Sequence, residues 1–272
     1  MSTPRVKITV PSLAAYKADH RALTMVTAYD STFASIVDAA GIDIILVGDS
    51  VATVMQGHKT TLGVSMEQME YHVSMVASVK PKALIVGDMP FGSYQASPHD
   101  AVRNAVRLMK AGAEIIKLEG GVYVREAIEA IVRADIPVMG HIGLTPQSFH
   151  RMGGNKVQGR TDGSQIGGKD RVLLDARAVE EAGASAFVIE AVPAELAAEI
   201  TSLSLVPTIG IGAGVDCDGQ VLVLHDLLGL SEKSLTFAKA YNNLRQQSVT
   251  AVSQYIQEVQ ARTFPDSSHS FQ

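Results

Sequence analysis

Short apolar runs alternate with longer stretches of helical periodicity along most of the chain, which predicts a βα repeat. The eight apolar runs predict strands at residues 24–27, 44–48, 83–87, 115–118, 138–140, 186–189, 208–211 and 221–224. The segments between them carry helix formers, and Ser65 and Ser97 are typical N-cap residues. They predict helices such as 65–79, 98–110, 122–134, 169–181 and 194–202.

Eight strands alternating with helices in a chain of 272 residues favour a TIM-type (β/α)8 barrel over an open doubly wound sheet. No linker is visible, so residues 1–272 are predicted to form a single barrel domain. The residues before Thr24 are expected to close the barrel floor, and residues 235–262 to add one or two helices. The segment 143–168 holds seven glycines, and a segment that long is usually functional or disordered.

Composition excludes several function classes. The chain has 23 Lys and Arg against 28 Asp and Glu, and no basic block that nucleic-acid binding would need. Its single cysteine, Cys217, excludes an intrachain disulfide and fits a reducing cytoplasm. No apolar run approaches the ~18 residues of a membrane span, and no signal peptide is visible. A soluble cytoplasmic protein that binds neither nucleic acid nor membrane is therefore expected.

Polar residues end most of the predicted strands, where barrel enzymes place their catalytic groups. These residues are Tyr29, Asp30, Asp49, Ser50, Asp88, Lys117, Glu119, His141, Glu190, His225 and Asp226. Because side chains alternate between the two faces of a strand, Asp49 is expected to lie on the same face as Ile45 and Val47. The same alternation places Asp88 and Glu119 in one register with Asp49 on three successive strands. One such carboxylate often caps a helix or forms a surface salt bridge, whereas three in register favour a common site.

Three carboxylates at one barrel mouth repel each other, so they need a cation or raised pKa values. Oxygen ligands select a hard ion, with Mg²⁺ the leading candidate and Mn²⁺ an alternative. Lys117 would lie beside this ion, either as a counter-ion for the acids or as a clamp on an anionic substrate.

A glycine-rich turn follows the seventh predicted strand at residues 210–214. It has two interpretations: a phosphate cradle, which barrels often form after strands seven and eight, or a tight turn that needs backbone freedom.

Collinear motifs at the strand ends resemble the ketopantoate hydroxymethyltransferase family. They are TAYD at 27–30, VGDS at 47–50, QGH at 56–58, TL at 61–62, GDMPF at 87–91, KLEGG at 117–121, GHIGLTPQ at 140–147, KVQGR at 156–160, IGIGAG at 209–214 and HSF at 269–271. The chain departs from the usual family pattern at Ser31, Gly63, Asn155 and residues 266–268, none of which is a predicted metal ligand.

The resemblance implies a barrel of the phosphoenolpyruvate/pyruvate superfamily that contains one Mg²⁺ per subunit. It implies transfer of a one-carbon unit from 5,10-methylenetetrahydrofolate to 3-methyl-2-oxobutanoate (α-ketoisovalerate), giving 2-dehydropantoate for pantothenate biosynthesis. It also implies a homo-oligomer, commonly a decamer.

Site roles follow from the same resemblance, position by position. Asp49, Asp88 and Glu119 would surround the metal, and Asp49, Ser50, Asp88 and Lys117 would contact the keto acid. Glu190, which follows the apolar residues 187–189, would accept the proton. His141 is a possible hydrogen-bonding helper, and Glu190 has the alternative role of contacting metal-bound water.

Chemistry supports this set of roles, because the C3–H of a 2-keto acid is weakly acidic until a cation binds the keto oxygen. Two other classes stay open. One is a sister Mg²⁺ enzyme that cleaves a C–C or P–C bond in a 2-oxo acid without folate. The other is a catalytically silent barrel, which would require loss of a strand-end carboxylate.

Overall fold

The computed structural model describes residues 5–232 and 235–271. The chain divides into two compact units, Met1–Val223 and Leu224–Gln272. The second unit contains the helices α10 Leu224–Leu227 and α11 Leu244–Gln260. The predicted single domain 1–272 includes residues 1–4, 233, 234 and 272, which lie outside the described residues, and it stays a prediction.

Eight parallel strands form a closed barrel in the first unit, which confirms the predicted (β/α)8 fold class. The strands are β1 Leu23–Thr27, β2 Ile44–Val47, β3 Leu84–Asp88, β4 Ile115–Lys117, β5 Val138–Gly143, β6 Ala186–Glu190, β7 Thr208–Ile211 and β8 Gly219–Leu222. They pair in chain order, and β8 closes the barrel on β1.

Helices connect the strands on the outside of the barrel, as this topology requires. The α-helices of the described residues are α1 Val10–Ala18, α2 Ser31–Ala40, α3 Val51–Val54, α4 Met66–Ser78, α5 Pro98–Ala111, α6 Arg125–Arg133, α7 Phe149–Met152, α8 Lys169–Glu181, α9 Ala194–Leu203, α10 Leu224–Leu227 and α11 Leu244–Gln260.

The predicted N-caps of α4 and α5 are confirmed. The Ser65 hydroxyl accepts from the backbone N–H of Gln68, whose side chain accepts from the backbone N–H of Ser65, and this completes a capping box. Ser97 accepts from the backbone N–H of Asp100. After α5, Gly112 adopts a φ of 113°, which glycine tolerates and which turns the chain towards β4.

The predicted eighth strand was placed two residues too late. β8 begins at Gly219 and ends at Leu222. Gly219 and Gln220 carry no branched apolar side chain, so the apolar pattern did not mark the true start. His225 and Asp226 therefore do not end a strand, because both lie in α10 of the second unit.

Helix α1 closes the floor of the barrel, at the end opposite the strand termini that carry the polar residues. Leu13 is fully buried and packs, with Tyr16, into the cluster of inward-facing strand residues. The Tyr16 hydroxyl donates to Asp43, just before β2, and the Lys17 ammonium pairs with Asp218 at 2.8 Å, just before β8. The floor is therefore sealed by apolar packing and tied by polar contacts at two strand starts.

Replacing Leu13 with alanine should lower the free energy of unfolding by roughly 2–5 kcal/mol, since the floor would retain a cavity. Denaturant unfolding measures this loss. The matched control is Val6→Ala, at a side chain that is 77% exposed, which should change stability by less than about 0.5 kcal/mol. Equal effects of the two variants would show that α1 does not seal the barrel.

Candidate active site

The strand register carries four polar side chains to the inside of the barrel mouth. Asp88 on β3 pairs with Lys117 on β4, and residues in register on parallel strands face the same side. On the next strands, His141 pairs with Val188, and Gly143 pairs with Glu190. Val188 belongs to the inward-facing core, so His141 and Glu190 continue that face at the mouth.

Asp49 reaches the same place by a different route from the one predicted. The inward-facing residues of β2 are Ile44 and Leu46, so strand alternation would turn Asp49 away from the barrel axis with Ile45 and Val47. The expected shared register is therefore wrong for this residue. β2 ends at Val47, and Asp49 lies in the turn before α3, where its backbone N–H donates to Asp88 Oδ2 at 3.1 Å. The turn, and not the pleat of the strand, brings Asp49 to the mouth.

Lys117 lies between two of the buried carboxylates. Its ammonium is 2.7 Å from Asp88 Oδ1 and 3.6 Å from Glu119 Oε1. Burial alone would lower the pKa of Lys117, but the charges of Asp88, Glu119 and Asp49 raise it above its usual value. Lys117 is therefore protonated, and its counter-ion role is present in the structure.

His141 connects the carboxylate of Glu119 to that of Glu190. Its ring nitrogens lie 3.3 Å from Glu119 Oε1 and 3.1 Å from Glu190 Oε2, as close ion pairs without hydrogen-bond alignment. Burial and Lys117 act to lower the pKa of His141, but the two carboxylates raise it to about 9. The imidazole is thus protonated at neutral pH and cannot accept a proton in this state.

Two residues that sequence reasoning did not single out, Gln147 and Tyr94, hold the carboxylates in place. The Gln147 amide donates to Asp49 Oδ2 at 3.0 Å and to the Met89 carbonyl, while its backbone N–H donates to Glu119 Oε2 at 2.9 Å. The Tyr94 hydroxyl donates to Gln147 Oε1 at 2.7 Å. Gln147 belongs to the family motif at 140–147 and lies four residues beyond the end of β5, but its contact with Asp49 depends on the fold of the loop.

Burial and like charge destabilise the ionised form of this cluster. Desolvation, followed by repulsion from Asp88 and Glu119, raises the pKa of Asp49 well above its usual range. Desolvation also raises the pKa of Asp88, although Lys117 opposes it. Glu119 differs, because Lys117 and His141 outweigh the cost of burial and lower its pKa. A divalent cation at this point would relieve the repulsion.

The buried carboxylates suit Mg²⁺ if water and substrate oxygens complete its ligands. Among the described residues, no three His, Cys, Asp or Glu side chains are close enough together to hold an ion by themselves. Mg²⁺ commonly binds one or two carboxylates and keeps several water or substrate oxygens as ligands. The buried carboxylates of Asp49 and Asp88, whose pKa values are raised, and the Oε1 atom of Glu119, which accepts no hydrogen bond, therefore fit such an ion.

Two other predicted strand-end residues have local contacts. The Ser50 hydroxyl lies 2.8 Å from the Tyr29 hydroxyl, next to Asp49 in the chain. Asp30 caps α2 by accepting from the backbone N–H of Phe33 at 2.8 Å. Asp30 therefore has the helix-capping role that single strand-end carboxylates often have, whereas Ser50 adjoins the site as the chain neighbour of Asp49.

The glycine turn at 210–214 is explained by packing. Gly212 and Gly214 adopt φ values of 61° and 83°, and a Cβ at Gly214 would lie 2.5 Å from that of Ala194. The tight-turn interpretation accounts for these glycines without a ligand.

The glycine-rich segment 143–168 packs back onto the barrel edge. Its Gln158 N–H donates to the Ala191 carbonyl, and its Gly159 N–H donates to the Gly167 carbonyl. It begins with the turn that carries Gln147, so part of this segment builds the site.

Comparison with known proteins identifies the family. The family model described as ketopantoate hydroxymethyltransferase matches residues 7–267. The chain belongs to the ketopantoate hydroxymethyltransferase family. It is 51% identical to a 3-methyl-2-oxobutanoate hydroxymethyltransferase of Pelobacter propionicus over 100% of both chains. It is 53% identical to the Geobacter sulfurreducens protein of that name, over 97% of this chain and 98% of that protein.

Solved structures of more distant proteins share the barrel of this hydroxymethyltransferase family member. A phosphonopyruvate hydrolase in complex with oxalate and Mg²⁺ has a TM-score of 0.63 at 14% identity, covering 96% of this chain and 93% of that chain. A 2,3-dimethylmalate lyase, described as a PEP mutase/isocitrate lyase superfamily member, has a TM-score of 0.59 at 16% identity, with coverages of 96% and 91%. At such identities the likeness shows the fold alone.

No helix within the described ranges is both long enough and apolar enough to cross a bilayer.

Without metal, Asp49→Asn should stabilise the hydroxymethyltransferase fold at neutral pH. The pKa of Asp49 is higher in the folded than in the unfolded chain, so ionisation of Asp49 above that pKa costs stability. The gain should be present at neutral and higher pH, where Asp49 is ionised in the unfolded chain. It should shrink steadily as the pH falls towards the ordinary aspartate pKa of about 3.9, because Asp49 then becomes protonated in the unfolded as well as in the folded state.

Chemical unfolding in chelator between pH 3.5 and pH 8 measures this difference. Asp162→Asn, at an exposed loop position, is the matched control for the charge change and should have little effect. A variant less stable than wild type at pH 7 would contradict the electrostatic account of the site.

Proposed function

We propose that this protein transfers a hydroxymethyl group from 5,10-methylenetetrahydrofolate to 3-methyl-2-oxobutanoate. The reaction gives 2-dehydropantoate and tetrahydrofolate and consumes one water, and it belongs to pantothenate and coenzyme A biosynthesis. The observation that carries the proposal is the buried cluster of Asp49, Asp88, Lys117 and Glu119 at the barrel mouth of a member of this family.

In this proposal Asp49, Asp88 and Glu119 surround one Mg²⁺ and bind it either directly or through its water molecules, and keto-acid oxygens provide further ligands. When bound, the ion withdraws electron density from the keto oxygen and so makes the C3–H of the substrate more acidic. The protein keeps its carboxylates ready for the ion through the hydrogen bonds of Gln147.

Lys117 and Ser50 are assigned to the keto acid itself. The ammonium of Lys117 lies in contact with Asp88 and can neutralise the carboxylate of a substrate bound beside that residue. The Ser50 hydroxyl lies next to Asp49 in the chain and can donate a hydrogen bond to the same substrate. Together they fix the orientation in which C3 faces the base.

Glu190 is assigned as the proton acceptor. Its side chain is 16% exposed, in contrast to the fully enclosed Asp88 and Glu119, so substrate can reach it. Lys117 does not contact it, and protonated His141 faces its Oε2. His141 thus positions Glu190 and leaves the other carboxylate oxygen for the proton from C3. The resulting enolate carbon then forms a bond to the methylene carbon of the donor. The two bonds from that carbon to the folate nitrogens break, water supplies the oxygen of the new hydroxyl group, and tetrahydrofolate leaves.

Replacing Lys117 with methionine should weaken keto-acid binding about ten- to a hundredfold, because one charge-assisted hydrogen bond contributes about 1.5–3 kcal/mol. Methionine keeps the apolar stem of the side chain in a position that is 3% exposed. Calorimetry with Mg²⁺ alone should show no loss of metal affinity, since the variant removes a positive charge. An unchanged dissociation constant for the keto acid would exclude the clamp role.

Glu190→Gln should slow exchange of the C3 hydrogen of 3-methyl-2-oxobutanoate for deuterium in heavy water. The exchange needs no folate, and a positioned base supplies about 10²–10⁴-fold in rate. Glutamine has nearly the same shape, so Mg²⁺ and keto-acid binding should stay close to wild type. Glu195→Gln, at an exposed position in α9, is the matched control. Exchange at the wild-type rate in Glu190→Gln would place the base elsewhere.

The overall function is tested by incubation with 3-methyl-2-oxobutanoate, Mg²⁺ and 5,10-methylenetetrahydrofolate, with mass spectrometry for 2-dehydropantoate. Product should form only when all three are present, and a chelator should abolish it. Cleavage of a 2-oxo acid without folate would instead indicate a lyase or mutase of the same fold. Full turnover after removal of metal would refute the metal-dependent mechanism.

The proposal extends to assembly and location. Helix α11 buries none of its residues, and Val252, Tyr255 and Ile256 are between 46% and 56% exposed. Exposed apolar surface of this kind often marks a protein interface, which supports a homo-oligomer. The single cysteine supports a reducing compartment such as the cytoplasm.

A further inference from the structure

A cleft of about 600 Å³ adjoins the carboxylate cluster, between the loops that follow β3, β4 and β5. Its inner wall contains Tyr94, Glu119 and Gln147, all nearly inaccessible to solvent. Because Glu119 and Gln147 also belong to the cluster, the cleft and the proposed keto-acid site share one wall. This volume lies within the range of pockets that hold small organic ligands and cofactors.

The outer rim of the cleft is aromatic and cationic. Phe91 and Tyr123 line it and are 50% and 66% exposed. The guanidinium groups of Arg171 and Arg151 lie 4.2 Å and 5.0 Å from the centre of the Tyr123 ring. The Tyr123 ring is therefore held in place by cation–π contacts before any ligand binds.

Arg151 differs from its neighbour Arg171 in its partners. Arg171 forms an ion pair with Asp175 at 2.9 Å. Within the ranges that the structure describes, Arg151 has no carboxylate within ion-pair distance. Its charge is thus available at the rim for an anionic group. The lining also includes the exposed Glu126, which can accept hydrogen bonds from amino groups.

We propose that this cleft binds the folate donor, with the pterin end at the inner wall and the glutamate tail at Arg151. The inference rests on the proposed function, which requires the methylene carbon of the donor to meet the substrate carbon at the carboxylate cluster. That requirement places the reactive end of the donor at Glu119 and Gln147. The aminobenzoyl ring then passes between Phe91 and Tyr123, and the anionic tail reaches the unpaired guanidinium.

A ligand-truncation cycle tests the tail contact with two probes, tetrahydrofolate and tetrahydropteroate, which lacks the glutamate. Calorimetry should show that wild type binds tetrahydrofolate about ten- to a hundredfold more tightly than tetrahydropteroate, the effect of one charge-assisted contact. In Arg151→Gln the two ligands should bind equally. Arg133→Gln, at an exposed position at the far end of α6, should keep the wild-type difference. A difference that persists in Arg151→Gln would overturn the assignment of the tail.

The variant Tyr123→Leu tests the stacking contact. It should weaken the binding of tetrahydrofolate and of tetrahydropteroate to the same degree, by about tenfold. Unchanged affinity for both would overturn the placement of the ring.

Donor-free deuterium exchange separates this inference from the proposed function. Loss of the donor site should raise the KM for methylenetetrahydrofolate without raising the KM for the keto acid or slowing the exchange. If wild type shows no exchange at all, the proposed function fails, whatever binds in the cleft. If Arg151→Gln slows exchange or raises the KM for the keto acid, Arg151 serves the keto-acid site, and the cleft assignment is wrong.

Discussion

The repulsion among carboxylates buried at one end of the barrel is the constraint on which the rest of the site depends. Asp49, Asp88 and Glu119 are each at most 4% exposed, so solvent does little to screen their charges. Lys117 neutralises part of the charge by direct contact with Asp88, and His141 neutralises more of it beside Glu119. The pKa of Asp49 nevertheless stays well above its usual range. The cluster is therefore a site whose acids favour a cation more strongly than isolated carboxylates would.

The barrel separates this electrostatic cost from the source of its stability. Apolar packing at the floor, where α1 inserts Leu13, lies at the opposite end of the strands from the acids. At the mouth, polar contacts instead determine where the side chains lie. Gln147 donates hydrogen bonds to one oxygen each of Asp49 and Glu119, and Tyr94 fixes the side chain of Gln147, so these contacts hold the carboxylates at defined positions. One end can thus tolerate destabilising charge because the other end supplies packing.

The neighbouring cleft suggests how two substrates of unlike chemistry can share one mouth. The keto acid is small and anionic and is assigned to the charged cluster, whereas the donor is large and aromatic. The wall formed by Tyr94, Glu119 and Gln147 belongs to both spaces. A single turn after β5 therefore takes part in orienting the acids and in lining the neighbouring cleft.

The amino-acid pattern by itself determined the (β/α)8 barrel, seven of its strands to within a few residues, and the polar residues that follow them. It did so because strand periodicity and helix capping are local: Ser65 caps α4 through its own neighbour Gln68. It misplaced β8, whose first residues Gly219 and Gln220 have no apolar signal. It also identified Asp49 for the wrong reason, since the turn before α3 and not strand alternation brings it inward. Only the tertiary structure decided the contacts of Gln147, Tyr94 and Arg151, because these contacts join loops that are far apart in the chain and leave no periodic trace.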